Sequence, residues 1–164
     1  MKKETYLRLS EFIRSSGKRE KIVQWLNRWI TRLVSVLYVG LLVMLAVRSD
    51  SRIWRAIAVP GLGFLIVTVM RKWIGARRPY EIWQIRPLIE KDTVRKSFPS
   101  RHVFSVYVIG MLGVWIQPEV GVILFLLGIG LAGIRVISGV HFIRDVLAGA
   151  AFGISCGWIG FYLI

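Results

Sequence analysis

A chain of 164 residues that is 55% hydrophobic and carries a formal net charge of +14, with a mean hydropathy of +0.58, is too apolar for an ordinary soluble domain. Apolar and strongly basic together indicate a membrane protein whose cations meet anionic head groups or a phosphorylated substrate, and the long uncharged stretches weigh against nucleic acid as a partner. The one cysteine, Cys156, lies inside an apolar run, excludes an internal disulfide and reads as a small buried residue.

In chain order, residues 1–28 form a basic, amphipathic N-terminal segment. Charges from Lys2 to Arg28 alternate with Tyr6, Leu7, Leu9, Phe12 and Ile13, then with Ile22, Val23, Trp25 and Leu26, across a Ser-Ser-Gly break. This pattern predicts one or two helices lying along a membrane surface, with a partly disordered basic leader as the alternative. No short apolar core followed by a small-residue cleavage site precedes the first long apolar run, so that run is expected to stay as an anchor.

Residues 29–164 are predicted to form an all-α, polytopic membrane bundle of about five spans. The first runs from Trp29 to Val47, with Arg32 close enough to its end to snorkel. Arg48 to Arg55 is a short polar turn, and Ala56 to Met70 is a second span in which Pro60 predicts a kink and Gly61 and Gly63 permit close packing. A long loop from Arg71 to Arg101 follows, with Pro79, Pro87, Pro99 and nine lysines and arginines. A loop this long and basic between spans is expected to carry function or topology information. The third span, Val103 to Ile116, ends at Gln117-Pro118-Glu119; the fourth is Val120 to Ile137, and the fifth His141 to Ile164, with Gly149, Gly153, Gly157 and Gly160 as a small-residue face. Trp29, Trp54, Trp73 and Trp115 fall near span ends, as an interfacial aromatic belt requires.

Five crossings bring the end of span two, the start of span three, the end of span four and the start of span five to one side. That side collects Arg71, Lys72, Arg78, Ser100, His102, Arg135, His141 and Asp145 from three separate parts of the chain. Spacing of i,i+4 predicts His141 and Asp145 on one helical face, where the carboxylate can hold the imidazole ring. Taken singly, Arg135 can be a snorkelling cation, Arg78 a topology charge and either histidine structural. Taken together, two histidines, a carboxylate and a ring of cations are a kit for phosphoryl transfer. A non-enzymatic membrane interaction protein would need neither histidine, and a transporter would place its ionisable groups at mid-membrane.

The motifs behind this convergence are Arg71 with Arg78-Pro79, then Pro99-Ser100-Arg101-His102 within Ser97 to His102, then Arg135, His141 and Asp145. In these the chain resembles the type 2 phosphatidic acid phosphatase family, whose active site is related to those of glucose-6-phosphatase and the vanadium haloperoxidases. Its patterns are Lys, six residues, Arg-Pro; Pro-Ser-Gly-His; and Ser-Arg, five residues, His, three residues, Asp. Here Arg71 stands at the lysine position with Lys72 one residue late, Arg101 replaces the glycine and Ile134 the serine. Six spans are common in the family, one more than is predicted here.

The resemblance implies a membrane lipid phosphatase with His141 as nucleophile, oriented by Asp145, a phosphohistidine intermediate, and His102 as acid and then base. Arg71 or Lys72, Arg78, Ser100 and Arg135 would bind the substrate phosphate. Asp145 is the only acid at the cluster, with Glu90 and Asp92 in the preceding loop, too few for a two-metal site, so neither metal nor cofactor is expected. Phosphatidic acid, phosphatidylglycerol phosphate and polyprenyl phosphates or diphosphates all suit a site at head-group depth. The basic leader predicts a multi-pass cell-membrane protein with that site on the N-terminal, cytoplasmic side.

Overall fold

A computed structural model of the chain describes residues 3–89 and 94–164. These form seven α-helices: α1 (Lys3–Arg14), α2 (Gly17–Val47), α3 (Ile53–Ile74), a short α4 (Pro79–Trp83), α5 (Arg101–Ile116), α6 (Pro118–Ile137) and α7 (Ile143–Trp158), the last continued by a π-helical turn, Ile159–Leu163. Among the described residues α2, α3, α6 and α7 belong to segments long and apolar enough to cross a membrane, and α5 is a shorter apolar helix. The fold is the expected all-helical membrane bundle.

Helix α5 is its axis. Val103, Phe104, Val106, Val108, Ile109, Met111 and Leu112 are all buried in it, so α5 is wrapped by protein where its neighbours meet lipid. In lipid no hydrophobic force drives one apolar helix against another, and close contact depends on small side chains. Gly149, Gly153 and Gly157 provide it: a Cβ at Gly149 would lie 2.6 Å from the Ser100 carbonyl oxygen, one at Gly153 2.7 Å from that of Phe104, and one at Gly157 would run into Met111. Gly160, the fourth of the predicted small-residue face, turns instead toward Val59 of α3. The turn from α5 to α6 closes similarly, with a Cβ at Gly113 2.7 Å from Gly121.

Helix α3 runs through Pro60. A proline cannot donate to the carbonyl four residues back, and that carbonyl, of Ala56, accepts a hydrogen bond from the Tyr38 hydroxyl at 3.1 Å. Trp54 and Trp73 are 76% and 87% exposed at opposite ends of α3, as belt residues should be, whereas Trp115 stacks on Phe161 with ring centroids 5.2 Å apart.

At the N-terminus the Ser-Ser-Gly break separates α1 from α2, and α2 then continues without interruption from the basic segment into the first span. Helix α1 is not purely a surface element. Tyr6 is fully buried, packs 5.6 Å from the Trp83 ring, and occupies the space a side chain at Gly139 would need, where φ is +71°. Trp83 in turn meets Phe142 edge-on at 5.5 Å. The leader thus covers the loop between α6 and α7.

Candidate active site

The site is assembled at one end of the bundle, where α3 and α6 end and α5 and α7 begin. Arg71 is delivered by the buried stripe of α3, which reads Ala56, Pro60, Gly63, Val67, Arg71. Its guanidinium donates to the carbonyls of Lys96 and Pro99, tying α3 to the segment that precedes α5. Lys72, one residue further round the helix, is exposed and lies off this stripe. The spacing 56, 60, 63, 67, 71 was the sequence signal separating the two cations.

Arg78 stands before α4 and is 2% exposed. It donates to the carbonyl of Val140 at 3.1 Å and to that of Lys96 at 3.2 Å, so it bridges the first-motif and third-motif loops. Glu81 fixes the geometry from below, its carboxylate accepting the backbone N–H groups of Arg78 at 2.7 Å and Arg95 at 2.9 Å. The loop after α6 is held by its backbone: Leu88 donates to the Ser138 carbonyl at 3.1 Å, Tyr80 to that of Gly139 at 3.2 Å, and His141 to that of Arg135 at 3.3 Å.

Arg135 ends α6 at 1% exposure. Its Nε and Nη1 are buried and have no hydrogen-bond partner, while Arg78 and Arg71 lie close enough to repel its charge. A desolvated guanidinium with open donors, flanked by two others, is costly without an anion. The arrangement has the character of an anion receptor.

His141 and Asp145 meet, although not on one helical face. His141 lies in the loop, and α7 begins at Ile143. Asp145, in the first turn of α7, folds back so that Oδ2 accepts the Phe142 N–H at 2.9 Å and the Ser97 hydroxyl at 2.5 Å, with His141 Nδ1 3.6 Å away. Nδ1 of His141 and Oδ1 of Asp145 remain buried without hydrogen-bond partners. Burial, then the charges of Arg78 and Arg135, outweigh the attraction of Asp145 and pull the His141 pKa down to about 4. The imidazole is therefore neutral at ordinary pH, with a lone pair to offer.

The sequence carries no signal for the Ser97 contact, because no helical spacing relates it to Asp145. Ser100 is joined to α7 by its own N–H, which donates to the Asp145 carbonyl at 2.8 Å, and its hydroxyl is buried without a partner. His102, in the first turn of α5, lines with Arg135 a cleft of about 530 Å³ whose other wall is α2. Arg101, in the family's glycine position, lays its guanidinium over the Phe64 ring at 4.8 Å. Glu90 and Asp92, the carboxylates of the preceding loop, lie outside the described residues. Among those described, no three histidine, cysteine, aspartate or glutamate side chains gather as a metal would require.

Residues 52–164 match the family model of the PAP2 superfamily. The chain belongs to that superfamily. Its PAP2 fold also resembles two solved structures. One is LpxE of Aquifex aeolicus, at 23% identity and a TM-score of 0.70, covering 94% of this chain and 93% of that one. The other is described as the first transmembrane PAP2 type phosphatidylglycerolphosphate phosphatase from Bacillus subtilis, at 21% identity and a TM-score of 0.69, covering 96% of this chain and 83% of that one. No curated protein sequence matches the chain. At these identities the likeness establishes the PAP2 fold alone.

Proposed function

We propose that this protein is a membrane lipid phosphatase that works through a phosphohistidine and without a metal. The observation that carries the reading is the convergence, at one end of the bundle, of the His141–Asp145 pair with the buried guanidinium groups of Arg71, Arg78 and Arg135. Membership of the PAP2 superfamily and likeness to a phosphatidylglycerolphosphate phosphatase support it.

A phosphate monoester bound here gives its non-bridging oxygens to the open Nε and Nη1 of Arg135, to the N–H groups of Arg78 and Arg71 that are not spent on carbonyls, and to the open Ser100 hydroxyl. His141 Nε2 attacks phosphorus, forming the N–P bond as the bond to the lipid oxygen breaks. Asp145 draws in the Nδ1 proton and stabilises the charge that develops on the ring. His102 gives its proton to the departing oxygen, since an alkoxide leaves poorly, and then takes one from the water that attacks phosphorus and returns His141 to its free form. Fixed cations around the equatorial oxygens stabilise the transition state electrostatically, the part taken by metal ions in other phosphoryl-transfer sites.

The cluster lies where spans end, so a lipid can present its phosphate while its chains stay in the bilayer. The basic leader shares that end, and by the positive-inside rule this supports a site on the cytoplasmic side of the cell membrane. A Cys156→Ser protein with Arg77→Cys, an exposed position beside the site, should resist a membrane-impermeant maleimide in intact cells; labelling there reverses the orientation.

Phosphate release by purified protein from a panel of lipid phosphates tests the activity. Activity should persist in chelator and disappear in His141→Ala. A His141→Ala protein with full activity removes the nucleophile assignment, and loss of activity in chelator removes the metal-free mechanism.

A further inference from the structure

The cleft that holds His102 and Arg135 has a second wall that no PAP2 motif supplies. It is one side of α2, where Asn27, Arg28, Thr31, Arg32 and Ser35 face it. Residues three and four apart share a helix face, so this polar strip is a built feature of α2. The side of α2 that meets lipid is apolar, with Trp25, Trp29, Leu33 and Val36 exposed along it. Arg32 and Val36 stand at the boundary and line both surfaces. The Thr31 and Ser35 hydroxyls already donate to carbonyls of their own helix, at 2.8 Å to Asn27 and 3.1 Å to Thr31. The charge on this wall therefore comes from Arg28 and Arg32, and the Asn27 amide adds a buried oxygen without a partner, which an amide flip would exchange for a donor.

A second pocket of about 250 Å³ shares Thr31, Ser35 and His102 with this cleft and has apolar walls from Val34, Phe64, Val106, Ile109 and Leu131, with Arg101 and Ser105 also lining it. His102 and Arg135 thus stand on one wall of the cleft and Arg28 and Arg32 on the other, with the apolar-walled pocket alongside. His102 is the group that meets the leaving oxygen, so whatever lies beyond it is leaving group.

We infer that Arg28 and Arg32 form a second anion subsite, and that the preferred substrate is a lipid whose leaving group itself carries a phosphate. This rests on the phosphatase reading and narrows it. A diphosphate lipid leaves as a lipid monophosphate, and a head group with an internal phosphodiester leaves with that diester; both put a negative charge at the far wall. Phosphatidic acid leaves as a neutral diacylglycerol and gives the two arginines nothing to bind.

The test compares kcat/KM on dioleoyl phosphatidic acid, dioleoyl phosphatidylglycerol phosphate and a polyprenyl diphosphate, using full-length protein in detergent micelles. The native protein should favour at least one of the two-phosphate lipids over phosphatidic acid by tenfold or more. Which one it favours tells a diester from a diphosphate. In Arg28→Gln/Arg32→Gln that ratio should fall toward one, and Arg28→Lys/Arg32→Lys should recover most of it, which also guards against a folding defect. A native preference for phosphatidic acid, or a ratio unmoved by the glutamine pair, overturns the subsite. Release from none of the three lipids by the native protein overturns the phosphatase reading itself.

Discussion

Oδ2 of Asp145 lies 3.6 Å from Nδ1 of His141, and the same oxygen is already held by the Ser97 hydroxyl at 2.5 Å. The carboxylate is thus positioned from two sides before it acts on the ring, by the segment leading into α5 and by the first turn of α7. A small rotation of the imidazole closes the remaining gap. Asp145→Asn keeps the shape but not the charge, and phosphate release should fall roughly 100- to 10,000-fold. Ser97→Ala removes one charge-assisted hydrogen bond, on the order of 1.5–3 kcal/mol. It should cost less activity than Asp145→Asn, and chiefly in kcat, because the Phe142 amide still holds the carboxylate.

Stability should depend on pH through His141. Its folded pKa of about 4 lies below the value of about 6.5 for an unfolded histidine. Between these values the unfolded chain binds the proton and the folded one does not. The folded state therefore has its full stability above about pH 6.5 and loses it as pH falls toward 4, in total on the order of 3 kcal/mol. Thermal unfolding in detergent between pH 7 and 4.5 measures this, and His141→Gln should flatten the slope.

Two glycine substitutions should have opposite signs. A Cβ at Gly149 would sit 2.6 Å from a backbone oxygen of Ser100, while one at Gly133 would meet nothing within 4 Å. Gly149→Ala should lower stability by about 1–3 kcal/mol through overpacking and reduce activity with it, because Ser100 and Asp145 ride on that contact. Gly133→Ala should stabilise α6 by roughly 0.5–1 kcal/mol through helix propensity and leave activity alone. Melting temperatures and initial rates on both proteins decide the matter.

Arg135 should show a trade between stability and activity. Its open Nε and Nη1 are a cost in the free protein, so Arg135→Gln should unfold at a higher temperature, by roughly 1–3 kcal/mol in stability. Its phosphate release should fall about 100- to 1,000-fold, as when one fixed transition-state donor is lost. Inorganic phosphate should raise the melting temperature of the native protein and leave that of Arg135→Gln unmoved. A variant less stable than the native protein would mean that Arg135 is structural.

Much of the bundle was legible in the sequence because membrane helices announce themselves by continuous apolar runs, and five such runs, four of them long enough to cross and α5 shorter, bring the motif-bearing ends together by parity alone. Helix ends shifted by a few residues, since polar residues such as Arg101 and His102 belong to the first turn of α5. Three features were less visible. Helix α2 carries charge through its first third, which masks its continuity. The burial of Tyr6 depends on a partner, Gly139, far away in the chain. Ser97 reaches Asp145 through a loop, where no periodicity operates. The burial of Arg71 and the exposure of Lys72 follow the 56, 60, 63, 67, 71 spacing of α3, which the sequence carries.

The family match begins at residue 52, yet Tyr6 roofs the loop that carries His141 and α2 walls the cleft beside His102. The proposed reacting groups and their surroundings therefore belong to different stretches of the polypeptide. Exchanging the first fifty residues with those of a relative should transplant substrate choice while leaving the reaction intact, and a fragment trimmed to the matched region would keep the reacting groups but stand open on one flank.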